Sequence, residues 1–144
     1  MLTDLLLGSV LIAATVIIQT TGLMLLSRVI TALVRWFRLH RHDFWRMIAM
    51  VATVLGLFAI HTTEIWLWAL ALLGVHASPN FEDALYLSTA SFTTLGAESA
   101  TITHAWRLLV ALESVDGLVL IGWSIAFLVA ASTRHGPFRA GEHF

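Results

Sequence analysis

Residues 5 to 27 contain no ionisable side chain at all. At about 1.5 Å per residue a helix of that length reaches about 34 Å, enough to cross a hydrocarbon core of about 30 Å. Residues 47 to 73 and 108 to 132 are nearly as clean, interrupted only by His61 and Glu64 in one and by Glu113 and Asp116 in the other. In lipid every backbone polar group must be satisfied within the segment, so stretches of this length and polarity predict helices. The whole chain agrees: 58% of its 144 residues are hydrophobic and 12% charged, against about a quarter charged in soluble domains. The expected fold is an all-α membrane protein with three transmembrane helices and no soluble domain large enough for its own core. The N-terminal stretch reads as a retained helix, because Met1-Leu2-Thr3-Asp4 is no basic leader and the apolar run exceeds a signal sequence. No cysteine occurs, which excludes disulfides, thiolate metal sites and thiol nucleophiles.

Arginine placement predicts orientation, since cytoplasmic loops carry the positive excess. Arg28, Arg35, Arg38, Arg41 and Arg46 cluster between the first two spans, and Arg134 and Arg139 follow the third. Both segments are expected inside, which puts the N-terminus outside. Residues 75 to 104 then also lie outside, where Glu82, Asp83 and Glu98 face Arg107. Trp36 and Trp45 are expected at the inner interface and Trp66, Trp68 and Trp106 near the outer one. The basic loop, with His40, His42 and Asp43, reads as topology and contact with membrane lipids, not as a nucleic-acid site.

Between the second and third spans, Ser78-Pro79-Asn80 is a turn with helix-start chemistry. Asn80 or Ser78 can cap, and Glu82 and Asp83 suit a first turn. A short helix is predicted from Phe81 to Phe92, with Phe81, Ala84, Leu85 and Leu87 toward packed protein. Ser88, Thr89, Ser91, Thr93 and Thr94 make its far end polar. Such a helix is too short to span, so it lies on the surface or dips in and returns. If it dips, its C-terminal partial negative charge points into the membrane and favours a cation there.

The stretch from Ala84 to Leu128 resembles the pore module of the tetrameric potassium-channel superfamily. That family's filter reads T-T-V-G-Y-G-D, where this chain has Thr93-Thr94-Leu95-Gly96-Ala97-Glu98-Ser99. The resemblance implies a re-entrant pore helix and filter loop in a homotetramer. The expected division is an extra N-terminal helix at 1–34, a basic cytoplasmic loop at 35–46, a pore module at 47–132 and a short tail at 133–144. Within the module it places an outer helix at 47–74, pore helix at 81–92, filter at 93–99 and inner helix at 105–132. It also gives Arg107 the opening of the inner helix and Gly117 a gating hinge, with close helix packing as the other reading of that glycine.

The second half of the filter departs from the family pattern. Ala97 replaces the aromatic cuff, and Glu98 replaces a glycine that permits positive φ, where a non-glycine residue costs roughly 1–2 kcal/mol. What is expected instead is a shortened or widened filter, with a ring of Glu98 carboxylates at the mouth that concentrates cations. Cyclic-nucleotide-gated channels, which discriminate poorly among monovalent cations, also carry glutamate there. The other reading turns Glu98 sideways, onto a backbone amide or Arg107.

Ionisable residues inside spans are costly and face a bundle interior or a cavity. Glu113 and Asp116, three apart, share a face. Asp116 is expected to line or border the pore cavity, with an interhelical hydrogen bond as the alternative, and Glu113 to support the filter from behind. His61 and Glu64 share a face likewise, as a structural pair, a proton sensor or half of a metal site. Gln19, Thr20 and Thr21 are expected to make interhelical hydrogen bonds.

No phosphate loop, H-E-x-x-H or serine elbow is present, so no enzyme is expected, and no cofactor or bound metal beyond permeant potassium or sodium. The function expected is passive monovalent cation conduction by a homotetramer in a bacterial plasma membrane. Two alternatives stay open: a non-conducting structural or sensory subunit, and a proton or metal transporter using His61, Glu64, Glu113 and Asp116.

Overall fold

The computed structural model describes residues 2–36, 43–96 and 106–135. Four helices follow in order: α1 (Leu2–Trp36), α2 (Asp43–Gly74), α3 (Phe81–Phe92) and α4 (Arg107–His135). Helices α1, α2 and α4 are long and apolar enough to cross a membrane. The short α3 has the bounds expected of it. Helix α1 ends two residues past the expected 34 and α2 begins four residues before the expected 47, and residue 105, the expected start of the inner helix, lies outside the described residues.

Each long helix buries one stripe with spacings of three and four residues, the period of a helix face. On α1 the stripe is Leu11, Thr15, Gln19 and Leu23; on α2 it includes Leu57, Glu64, Trp68 and Leu72; on α4 it is Leu109, Glu113, Asp116, Leu120 and Ser124. The opposite faces expose Val10, Ile17, Leu25, Leu55, Phe58, Val115 and Leu118. All three helices contact one another, and α3 lies against α2 and α4. Trp66 is half exposed and meets the Phe81 ring edge-on at 6.1 Å. Trp68, expected beside it in an aromatic belt, is instead fully buried. Its position on the Glu64 and Leu72 stripe turns it inward.

Helix α3 starts at Asn80, which takes the capping role in an extended conformation. The Asn80 side chain accepts from the Asp83 N–H at 2.9 Å, and its amide donates to the Asp83 carboxylate at 2.9 Å. The packed face matches the expected one at Ala84 and Leu87 and departs from it at Phe81 and Leu85. Ala84, Leu87, Ser88, Ala90, Ser91 and Phe92 are buried, whereas Phe81 is exposed and Leu85 half-buried. The end of α3, not its beginning, is wedged between neighbours, and those neighbours offer polar partners to its serines.

Depth can be read along the helices. The Phe92 ring lies 5.7 Å from that of His61, thirteen residues (74 − 61) before the end of α2, which is about 20 Å along its axis. On α4 the Phe92 backbone meets Gly117, ten residues (117 − 107) or about 15 Å from the start. Helix α3 itself is 12 residues, about 18 Å. It therefore runs from the end of α2 to a level near the middle of α2 and about a third of the way along α4. Leu109 and Val110, near the start of α4, pack in one cluster with Leu72 and Ala77, so the chain comes back to the end from which α3 departed.

A Cβ built on Gly117 falls 2.8 Å from both the Cα and the carbonyl carbon of Phe92. Backbone cannot swing aside as a side chain does. Gly117→Ala is therefore expected to lower stability by about 1–3 kcal/mol. Gly8→Ala, whose added carbon meets side chains alone, the Leu112 Cδ1 at 2.6 Å being the nearest atom, is expected to cost less. Thermal unfolding of both variants in detergent checks this, and equal losses would show that the Phe92 backbone can move.

Candidate functional site

The end of α3 and the turn that follows hold the described half of the expected filter. Thr93 closes the helix, its N–H bonding the Thr89 carbonyl at 3.1 Å. The Thr94 N–H bonds the Ser91 carbonyl at 2.9 Å, and the Gly96 N–H reaches the Ala90 carbonyl at 3.2 Å. Thr94 has φ 57° and Gly96 φ 85°. Glycine adopts such values freely, but a β-branched residue is strained there by roughly 1–2 kcal/mol. Strain of this kind collects at functional segments, where surrounding structure holds it in place. All four residues from Thr93 to Gly96 are exposed on the subunit, Leu95 to 78%. The Thr93 hydroxyl turns back to the Thr89 carbonyl at 2.7 Å. Ala97 and Glu98 lie outside the described residues.

Behind this turn sits a buried polar cluster. Ser88 meets both the Ile65 carbonyl, at 2.9 Å, and the Glu113 carboxyl. Glu113 thus ties α4 to α3 through Ser88. Asp116 differs from its expected place. Its Oδ2 accepts from the Thr15 hydroxyl at 2.7 Å and from the Trp68 indole N–H at 3.1 Å, and the residue is only 4% exposed. Asp116 therefore points into the subunit, toward α1 and α2, in the interhelical alternative, because two donors there solvate its charge better than an apolar face can. Gly117, beside it, has the close-packing role, against Phe92.

The His61 Nδ1 lies 2.8 Å from the Glu64 Oε2, so the two form the expected structural pair. Glu64, Glu113 and Asp116 are all buried, and Glu64 Oε1 and Glu113 Oε2 have no hydrogen-bond partner among the described residues. No group of three His, Asp or Glu side chains among those residues converges as a metal-binding set. Arg107 is exposed in the first turn of α4.

On α1, Gln19 bonds across to α4, donating to the Leu120 carbonyl at 3.2 Å and the Ser124 hydroxyl at 2.8 Å. Thr20 and Thr21, expected to do likewise, instead return their hydroxyls at 2.7 Å to the carbonyls of Val16 and Ile17 on their own helix. They lie off the buried stripe, where no neighbour competes for them. Sequence reasoning missed Thr15, Trp68, Ser88 and Ser124 as polar partners of the cluster. The available signal was the four-residue spacing of Thr15 and Gln19, which puts two polar side chains on the face shared by Leu11 and Leu23.

Arg38, Arg41, Arg139, His40 and His42 lie outside the described residues, as do the side chains of Trp36, Asp43, Trp45 and Arg134. Comparison with protein-family models, curated proteins and solved structures gives no significant match.

Thr15→Val removes one of the two donors to Asp116 and is expected to cost about 0.5–1.5 kcal/mol, the range of hydrogen bonds between membrane helices. Ser88→Ala is expected to cost more, about 1–3 kcal/mol, because it leaves neither oxygen of the buried Glu113 with a partner. Chemical unfolding in detergent ranks the two, and the reverse order would demote the Ser88 contact.

Proposed function

We propose that the chain is a subunit of a homotetrameric cation channel that passes potassium or sodium passively through a path lined by Thr93, Thr94, Leu95, Gly96, Ala97 and Glu98. One observation carries this reading: a strained, non-helical turn lies exposed on the subunit well inside the length of two membrane-length helices, about 20 Å from the end of α2 and about 15 Å from the start of α4. Irregular backbone at that depth is tolerable only when covered by protein or lining water. The described residues of a single subunit do neither. Several copies around an axis would do both, and cyclic symmetry makes identical rings of Thr94 and Glu98. The α3 dipole, with its negative end at Thr93, favours a cation at that level. The resemblance of 93–99 to a potassium-channel filter supports fourfold closure, and the arginine distribution supports a cytoplasmic C-terminus in a bacterial inner membrane.

A second reading draws on Glu64 and Glu113, each buried with one unpartnered oxygen. A proton or metal transporter would use such groups together with His61 and Asp116.

Ion flux into liposomes holding the purified protein separates the readings. The channel predicts non-saturating flux of potassium, rubidium or sodium that Thr94→Ala impairs and Glu98→Gln weakens at least several-fold. Asp116→Asn is expected to leave ion selectivity unchanged, since Asp116 faces α1 and α2. Saturable uptake abolished by Glu64→Gln and Glu113→Gln but tolerant of Thr94→Ala would favour transport. A tetramer with no flux under any cation gradient would overturn both and leave a structural or sensory subunit.

A further inference from the structure

We infer that α1 and α4 form a binding site for one anionic phospholipid, with its phosphate on Arg28 and Arg35 and its acyl chains in the groove beside Trp123 and Phe127. Two adjoining grooves run along one face of α1. The first, about 600 Å³, is lined by Ser27, Arg28, Thr31, Ala32 and Arg35. The second, about 400 Å³, continues from Ser27 and Arg28 to Thr20, Leu23 and Met24, with Trp123 and Phe127 of α4 on its other wall. Positions 20, 24, 28, 31 and 35 recur every three or four residues, so they form one stripe down the helix. Along that stripe positions 20 and 24 are uncharged and both charges, at 28 and 35, are basic and lie toward one end.

Both arginines are exposed, and no carboxylate pairs with either among the described residues. The backbones of the two arginines are about 10 Å apart along the axis, a span that their long side chains can bridge to a phosphate and its neighbouring headgroup oxygens, since arginine donates in a fork that matches oxyanions. The Thr31 hydroxyl bonds the Ser27 carbonyl at 2.8 Å, and Ala32 leaves space between the arginines. The apolar groove has the depth of one leaflet. From Arg28 to Thr20 is eight residues, about 12 Å, against about 15 Å for half of a hydrocarbon core. Arg28 is also the first charged residue after the uncharged run from 5 to 27, which puts it at the edge of the core. Charge, position and depth therefore match a lipid with a negative headgroup better than a free anion, which has no use for the apolar half. The site lies on α1, away from the Thr93 turn, and does not depend on conduction.

Native mass spectrometry of the full chain, released from detergent containing phosphatidylglycerol or phosphatidylcholine with the same acyl chains, tests this. Phosphatidylglycerol is expected to stay bound and phosphatidylcholine to be lost. Arg28→Gln with Arg35→Gln should cut the retained fraction at least tenfold. Arg46→Gln, at the same end of the bundle but outside both grooves, should leave it unchanged. Brominated phosphatidylglycerol should quench tryptophan emission in the wild-type protein, and the quenched component should vanish in Trp123→Phe. Equal retention of both lipids, retention insensitive to the arginine pair, or equal loss in Arg46→Gln would overturn the proposal. So would displacement of the lipid by glycerol phosphate alone, or a smaller oligomer in the arginine double variant, which would assign the face to a second copy of the chain.

Discussion

A helix that stops partway through an apolar bundle must find partners for its end, and the rest of this structure follows from how α3 finds them. The carbonyls of Thr89, Ala90 and Ser91 are taken by the N–H groups of Thr93, Gly96 and Thr94. The Phe92 backbone lies directly on α4, where only Gly117 lets it approach. One turn earlier Ser88 ties α3 to both neighbours at once, through the Ile65 carbonyl and the Glu113 carboxyl. Three contacts of different kinds thus hold one short helix at a depth where nothing in lipid could.

The same cluster explains the presence of α1, the one helix to which the potassium-channel resemblance assigns no part. Thr15 and Gln19 reach α4 at Asp116, Leu120 and Ser124, and Trp68 of α2 shares Asp116 with Thr15. Apolar faces provide little drive for association when the solvent is equally apolar, so polar contacts and close packing decide which helices meet. Each such bond is modest, roughly 0.6 kcal/mol on average. Their number matters less than their placement: they bind α1 to the back of the helix that positions α3. Its opposite, arginine-bearing end is then left to face the membrane edge.

On the front of the subunit the balance is reversed. Thr93 to Gly96 are exposed, Thr94 is strained, and among the described residues only the N–H groups of this turn cover the negative end of the α3 dipole. Rigid support behind and unsatisfied exposure in front are what a segment needs if its chemistry is to be completed by ions, water or further copies of the chain.

Much of the architecture was legible in the sequence because bilayer thickness and helix rise translate apolar length directly into spans. The limits of α3 were equally legible, since Asn80 announces a start and twelve residues cannot cross. Periodicity alone could not reveal which face of each helix turns inward, because in lipid both faces are apolar and the hydrophobic signal that sorts a soluble helix is missing. Asp116 was therefore expected toward a cavity and proved to face Thr15 and Trp68. Trp68 was expected at an interface and proved to be core, while Thr20 and Thr21 proved to serve only their own helix. The sequence by itself determined how many helices span, where the short one begins and where the backbone must break. Only the tertiary structure decided which polar groups meet, because partners such as Thr15 and Asp116, 101 residues apart in the chain, are selected by packing across helices and leave no local trace.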